Sequence, residues 1–274
     1  MRRCVVKAPT TAIPRRSLLT VLSAGAAVGV LGGLIGLGGA EFRLPLLITV
    51  FGFIALEAVI VNKVISLVVV ASALVFRSTT IPVEAVLDNG SIVINLLAGS
   101  LAGAWIGADL ATRLATTTLY RVIALLLVLI AFLLAFAHDP LVPAEPIAHG
   151  AALVAIGLVA GFAIGVVAAL LGVAGGELLI PTLVLLFGAD IKLAGSLSLA
   201  VSLPTMLVGF ARYSRERSFA VLGANRAFVL TMAAGSMIGT YVGARLLSIV
   251  PDALLVPILA VILVVSAIKV WRHR

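Results

Sequence analysis

The chain is a succession of long apolar runs separated by short polar stretches. A run of about 20 apolar residues is long enough for a transmembrane helix. Transmembrane barrels instead show alternating segments of about ten residues. The pattern therefore predicts an all-α polytopic membrane protein. Its ten predicted segments are residues 18–38, 43–52, 55–76, 91–111, 119–137, 147–172, 178–188, 191–211, 227–247 and 251–271.

The two halves of the sequence repeat one another at an offset of 136 residues, close to half of the 274 in the chain. At this offset "GLGGAEFRLPLLITVFG" (36–52) aligns with "GVAGGELLIPTLVLLFG" (172–188). Further on, "AGSLAGAWIGADL" (98–110) aligns with "AGSMIGTYVGARL" (234–246). The protein is therefore interpreted as two fused copies of one unit. We divide it into a basic cytoplasmic tail (1–17), a first transmembrane repeat (18–137), an inter-repeat loop (138–146) and a second transmembrane repeat (147–271).

The second segment of each half decides the topology. At about ten residues it is too short to span about 30 Å of hydrocarbon as a helix that rises 1.5 Å per residue. Five crossings per half would invert the second copy, whereas four crossings with a re-entrant short segment would leave the copies parallel. The distribution of Lys and Arg slightly favours five, with both termini and the basic loop 212–226 in the cytoplasm. We predict inverted repeats of about five elements each, one of them short or discontinuous, and the parallel alternative stays open.

Composition supports the membrane assignment: 62% of residues are hydrophobic, 11% are charged and the mean hydropathy is +1.28. A soluble globular protein has about 25% charged residues. The net charge of +8 does not predict a nucleic-acid partner, because the basic residues gather at the ends of apolar runs. Cys4 is the only cysteine, and the three histidines lack metal-ligand spacing. We expect no metal and no cofactor, and the oligomeric state is left open.

The repeated acidic segment carries a glycine pair, a glutamate and a proline. These residues are Gly38, Gly39, Glu41 and Pro45 in the first copy and Gly175, Gly176, Glu177 and Pro181 in the second. The glycines permit an unwound backbone, and the prolines suit the first turn of a new helix. Each glutamate is thus expected between one helix end and the next helix start. Unwound backbone in a bilayer is tolerated only inside protein or beside a wet cavity.

This arrangement predicts a particular chemistry. A helix N-terminus that points into a cavity suits an anion, and a carboxylate there suits protons or cations. The pair Glu41 and Glu177 could also hold protons through desolvation or mutual repulsion. We therefore predict a site that binds a small anion and couples its movement to protons. The competing interpretation is an interfacial turn in which the glutamates cap the short helices or meet water.

Other polar positions have smaller predicted roles, in lining a pore or in helix packing. The matched pair Ser66 and Ser202 could face a pore, although small hydroxyl residues also help membrane helices to pack. Further such residues on the same two segments are Asn62, Ser196, Ser198 and Thr205. Arg43, two residues after Glu41, could attract the anion or pair with that carboxylate, but the favoured interpretation is a surface arginine that snorkels to the interface. The glycines spaced by four in "AGSLAGAWIG" and "AGSMIGTYVG" predict close helix packing within or between the halves.

The doubled G-x-G-G-x-E-x-x-x-P type segment, followed by a short apolar stretch that ends in Phe-Gly, resembles the TauE/SafE family of sulfite exporters. This family is also called the four-toluene sulfonate uptake permeases. The resemblance extends from about residue 18 to residue 271. It implies a secondary carrier of the inner or plasma membrane that moves sulfite, sulfonates or other small organosulfur anions.

The rival hypothesis is a membrane protein that does not transport, either a scaffold or an intramembrane enzyme without a familiar motif. The sequence contains no Walker motif, no Rossmann fingerprint, no nucleophile elbow and no HExxH pair. We therefore do not expect an enzyme. A scaffold has no need of acidic residues at the junction of the repeats, which favours a proton- or ion-coupled transporter with membrane lipid and a small anion as its partners.

Overall fold

The computed structural model describes residues 17–35, 39–77, 83–136, 149–189, 191–246 and 252–272. Within these ranges all regular secondary structure is helical. The first half contains α1 (Leu18–Ile35), α2 (Ala40–Thr49), α3 (Ala55–Arg77), α4 (Val83–Asp88), α5 (Gly90–Arg113) and α6 (Thr116–Phe136). The second contains α7 (Gly150–Leu171), α8 (Gly176–Phe187), α9 (Ile191–Tyr213), a 3₁₀ turn (Arg217–Phe219), α10 (Ala220–Ala224), α11 (Arg226–Leu246) and α12 (Asp252–Arg272). The prediction of an all-α polytopic protein is confirmed.

Four helices in the described part of the chain are long and apolar enough to cross a membrane. They are Ala55–Leu74, Gly90–Arg113, Gly150–Leu171 and Leu193–Tyr213. Leu18–Gly33, Thr116–Phe132 and Gly176–Phe187 are shorter apolar helices. Two further helices, α4 and α10, lie in stretches that the sequence analysis took as polar connections. Most of the predicted tail (1–17) and all of the predicted inter-repeat loop (138–146) lie outside the described residues, so the domain boundaries stay predictions.

Helices of the two halves begin at equivalent positions. The pairs of first residues are Ala40 and Gly176, Ala55 and Ile191, Gly90 and Arg226, and Thr116 and Asp252, each 136 residues apart. The repeat found in the sequence is therefore also a repeat of helix boundaries, including the short α2 and α8. A shared hydrophobic pattern produces the same helices twice because the same positions need burial in each copy.

The halves interlock rather than sitting side by side. Helix α1 packs on α11, α5 on α7, α6 on α12 and α3 on α9, so each of these contacts joins one helix from each half. The repeated glycines make the first two contacts close: a Cβ atom at Gly103 would collide with the carbonyl oxygen of Phe162, and one at Gly239 with that of Ala26. Glycine at these positions lets two backbones approach directly. The structure thus places the predicted small-residue packing between the halves.

The equivalent helices α3 and α9 run in opposite directions. Lys63, in the first half of α3, lies against Gly209 near the end of α9, and Lys63 and Tyr213, the last residue of α9, both donate hydrogen bonds to the end of α7. The first part of α3 therefore lies beside the end of α9, and the two helices are antiparallel. Because α3 and α9 occupy the same place in their repeats, this is the relation that an inverted repeat requires. It supports the inverted arrangement, whose orientation in a bilayer stays a prediction.

An ion-pair network joins the ends of α5 and α9. Arg212 donates from Nη2 and Nε to Asp109 Oδ1 at 2.7 and 3.1 Å, and from Nη1 to Glu216 Oε1 at 2.9 Å. The Nε atom of Arg113 lies 2.6 Å from the other carboxylate oxygen of Asp109. This network ties the first half to the second beside the loop that the sequence analysis places in the cytoplasm.

The close packing of glycines can be tested by adding single methyl groups. We expect Gly103→Ala and Gly239→Ala each to lower the free energy of unfolding by about 1–3 kcal/mol, because the new Cβ overlaps a backbone carbonyl of the facing helix. Gly223→Ala is the matched control, since a Cβ there would have no neighbour within 4 Å. Thermal unfolding in detergent measures the effect. Equal Tm values for all three variants would contradict the packing.

The predicted orientation can be tested by thiol labelling in a Cys4→Ser background. With five crossings per half, His149→Cys lies outside and Ser214→Cys lies in the cytoplasm. An impermeant maleimide should then label the first variant in intact cells and the second only after permeabilisation. Labelling of both variants from the same side would support the parallel arrangement instead.

Candidate functional site

The site begins where long helices give way to the short helices α2 and α8. Helix α7 ends at Leu171, and Gly172 follows in a left-handed conformation with φ 67°. Gly175, with φ 82°, precedes α8, as Gly39, with φ 69°, precedes α2. Non-glycine residues rarely adopt these angles, so the glycines permit the breaks. Gly176 is the first residue of α8, and Gly38 lies outside the described residues.

Two local predictions about these segments were wrong. Pro45 and Pro181 are each the sixth residue of their helix rather than part of its first turn, and the helices begin directly after the glycines. Glu41 and Glu177 consequently lie in the first helical turn rather than between two helices. A carboxylate in the first turn is favoured by the helix dipole, which explains why the helix starts before the glutamate.

Both glutamates are buried from solvent. The exposed fraction is 0% for Glu41 and 7% for Glu177, and the two carboxyl groups interact electrostatically with one another. Neither carboxylate oxygen of Glu41 has a hydrogen-bond partner, and Oε2 of Glu177 has none among the described residues. This geometry differs from an interfacial turn whose acids meet water. An unpartnered ionised carboxylate in such a place costs much free energy.

Arg43, two residues after Glu41, is also completely buried. Its Nε donates to Asn62 Oδ1 at 2.8 Å, Nη2 to Ser66 Oγ at 2.6 Å and Nη1 to Ser236 Oγ at 3.2 Å. The interpretation of Arg43 as a snorkelling residue was therefore wrong. The short helix α2 packs against α1, α3 and α12, and the Arg43 side chain is fully enclosed, so neighbouring side chains solvate it in place of water.

The end of α7 receives hydrogen bonds from side chains of two other helices. Lys63 Nζ donates to the carbonyl oxygens of Ala168 and Val173 at 3.2 and 3.4 Å. The hydroxyl of Tyr213 donates to the carbonyl oxygen of Ala169 at 2.9 Å. The same two carbonyls of Ala168 and Ala169 also accept the backbone N–H groups of Val173 and Gly172. The last carbonyls of a helix carry partial negative charge. A buried lysine therefore suits this position.

Asn62 connects the two halves at the same place. Its Nδ2 donates to the carbonyl oxygens of Leu171, at the end of α7, and Ala40, at the start of α2, at 3.1 and 3.0 Å. Its Oδ1 accepts from Arg43, so all of these polar contacts hold the amide in one orientation. One side chain of α3 thus fixes a helix end, a helix start and a guanidinium.

The remaining predicted polar residues are buried as well. Ser66 contacts Arg43, whereas the hydroxyl oxygens of Ser202 and Ser196 have no hydrogen-bond partner in the described part of the chain. Thr205 shares a 2.7 Å hydrogen bond with Ser100 of α5. The matched serines therefore have different surroundings. In the first half the hydroxyl faces a cation, and in the second Leu179 replaces Arg43 at the equivalent position.

The sequence analysis missed Lys63, Ser236 and Tyr213 as members of this cluster. For Lys63 a signal was present, because a lysine within an apolar run of membrane-spanning length usually faces the protein interior and marks a functional position. Ser236 carried no signal apart from its place in a small-residue motif.

Over the described ranges, no group of three or more His, Cys, Asp and Glu side chains could hold a metal ion.

The contribution of one hydrogen bond at the end of α7 to the stability of the fold can be measured with a matched pair of substitutions. Tyr213→Phe removes the donor to the carbonyl of Ala169 inside the bundle, so we expect it to lower the free energy of unfolding by about 1–2 kcal/mol. Tyr241→Phe is the control, because Tyr241 is exposed and its hydroxyl accepts from Arg245. Unfolding in detergent by heat or denaturant compares them. Equal losses of stability would show that the buried hydrogen bond contributes little.

Comparison with known proteins agrees with this architecture. The family described as "Sulfite exporter TauE/SafE" matches residues 8–270, which is nearly the whole chain. No curated protein and no solved structure matches it. The match covers both halves, both short helices and every residue of the buried polar cluster. This polytopic helical membrane protein therefore belongs to the sulfite exporter TauE/SafE family.

Proposed function

We propose that the protein is a secondary transporter of small anions such as sulfite, sulfonates or related organosulfur compounds, coupled to protons. The observation that carries the proposal is the pair of buried glutamates, Glu41 and Glu177, which interact with one another. Both carboxylate oxygens of Glu41 and Oε2 of Glu177 lack a hydrogen-bond partner among the described residues. Membership of a family named for sulfite export supports an anion as the substrate. A carrier of this kind acts as a permease and not as an enzyme.

The glutamate pair provides a place for a transported proton. Two ionised carboxylates side by side in a dry site repel each other and have lost their solvation. A proton on either one supplies the missing donor and removes one charge. Because one glutamate comes from each half, any relative movement of the halves changes the distance between them. That dependence links proton binding to conformation.

The charges of the site also support coupling. Among the described residues, the buried carboxylates of the polar cluster are Glu41 and Glu177, and its buried cationic side chains are Arg43 and Lys63. With all four ionised the cluster is neutral. An entering monoanion adds one negative charge to a low-dielectric site, where an uncompensated charge is costly. One proton on a glutamate restores neutrality, so we infer about one proton per negative charge carried.

The proposed location is the inner or plasma membrane, with both termini in the cytoplasm. Inverted repeats that meet at a buried polar site fit alternating access, in which one half rocks against the other. The first turns of α2 and α8, the two serines Ser66 and Ser202 and the glycines that permit the breaks then form the transport site. The prolines, one turn further on, limit main-chain hydrogen bonding beside it.

Reconstitution into liposomes tests the function. We expect a pH gradient to drive uptake of at least one anion from a panel of sulfite, thiosulfate, sulfoacetate and simple carboxylates. Glu41→Gln and Glu177→Gln should each reduce this uptake about tenfold or more, because a neutral amide cannot exchange the proton and leaves the buried charges unbalanced. Glu84→Gln, at an exposed position, is the matched control and should retain full uptake.

Two outcomes would contradict the proposal. The first is an absence of flux for every anion in the panel, which would favour a membrane scaffold or an enzyme. The second is full uptake, still driven by the pH gradient, in a protein that carries both glutamine substitutions. Flux that persists in that protein but no longer follows the pH gradient would instead assign the glutamates to coupling alone.

A further inference from the structure

We propose that Arg43 is the residue that binds the transported anion, and that the site holds one small oxyanion through the Nη1 and Nη2 edge of its guanidinium. This inference rests on the proposed function and assigns its substrate-binding residue. Arg43 is two residues from Glu41 in α2, so the anion and the proton would bind within one helical turn of each other.

The first support is the lack of a bonded counter-ion. All three hydrogen bonds of the Arg43 side chain go to neutral oxygens, those of Asn62, Ser66 and Ser236. Glu41, on the same helix, interacts with Arg43 electrostatically but makes no hydrogen bond with it, since neither of its carboxylate oxygens has a partner among the described residues. Buried charges are normally paired and hydrogen-bonded. The N–H groups of the guanidinium are therefore bound by neutral oxygens and not by an acid, which leaves its charge available to an anion once Glu41 is protonated.

The second support is spare donor capacity on a defined edge. A guanidinium carries five N–H groups, and Arg43 uses three of them in hydrogen bonds with the described residues. Asn62 holds the Nε side, and its amide is fixed by two backbone carbonyls. Nη2 and Nη1 each donate one N–H group, to Ser66 and Ser236, whose hydroxyl groups can rotate and donate to an anion as well. The second N–H group of each of these two nitrogens has no partner among the described residues and remains for a ligand.

The chemistry of this edge indicates the ligand. Two parallel N–H groups match two oxygens of one carboxylate, sulfonate or sulfite group, whereas a spherical halide can use them only as a point charge. Ser66 belongs to the first half and Ser236 to the second, so the site forms only when the halves are together. The equivalent of Arg43 is Leu179, which is 1% exposed and lies in an apolar cluster. The repeat therefore supplies one such site and not two.

Anion-dependent thermal stability of the purified protein tests the assignment. Sodium sulfite and sodium methanesulfonate serve as probes, with sodium chloride at equal ionic strength as the control. We expect a saturable rise in Tm with either oxyanion for the wild-type protein. Arg43→Met should abolish that rise, and Arg43→Lys, which keeps the charge but loses the paired donors, should raise the half-saturating concentration about tenfold. Leu179→Met, at the equivalent position, should behave as wild type.

The results also separate this inference from the proposed function. A folded Arg43→Met protein that sulfite stabilises as it does the wild type would overturn the inference, and so would the absence of stabilisation of the wild type by both oxyanions. If Arg43→Met does not fold, Arg43→Lys serves as the test. A half-saturating oxyanion concentration equal to that of the wild type would then overturn the inference. Anion flux with an unaltered KM in Arg43→Lys would refute the binding role of Arg43 but support the transport function. Anion binding that depends on Arg43, without any flux, would support the binding role and refute the transport function.

Discussion

The structure depends on hydrogen bonding of the main chain where a helix ends inside an apolar bundle. In a bilayer no water reaches such an end, so donors of the protein must satisfy its carbonyl groups. At the end of α7 the backbone N–H groups of Gly172 and Val173 donate to Ala169 and Ala168. The side chains that supply further donors are Asn62 and Lys63 of α3 and Tyr213 of α9. Two of these three residues come from the opposite half. The break in the second repeat is therefore completed by the first repeat.

This constraint makes the two halves unlike in chemistry although they are alike in helix boundaries. Arg43, Asn62 and Lys63 of the first half correspond to Leu179, Ser198 and Leu199 of the second. One half thus supplies both buried cations, while each half supplies one buried glutamate. A strictly symmetric dimer of the same fold would need either two sets of cations or none. Duplication followed by divergence allows one set, which gives a single charged site at the interface.

The packing around this site explains how it is held. The pairs α1 with α11 and α5 with α7 each contain one helix from each half, and glycines bring their backbones into direct contact. Most of the buried polar residues lie on α3, on α9 and on the short α2 and α8. The hydrogen bonds that Arg43 donates to Ser66 of α3 and Ser236 of α11 continue the same connection between the halves. Movement of one half against the other would therefore alter the site directly.

The sequence by itself determined the membrane class, the long helices, the duplication and the places of the repeated acidic segments. These properties depend on local hydrophobic pattern and on spacing, which a sequence displays directly. The environment of Arg43 was decided only by tertiary structure, because its three hydrogen-bond partners are 19, 23 and 193 residues away along the chain. The same holds for Lys63, whose carbonyl partners lie more than 100 residues away. Whether a charged side chain in an apolar chain reaches water or is solvated by other side chains depends on which distant helices surround it, and no local pattern specifies those neighbours.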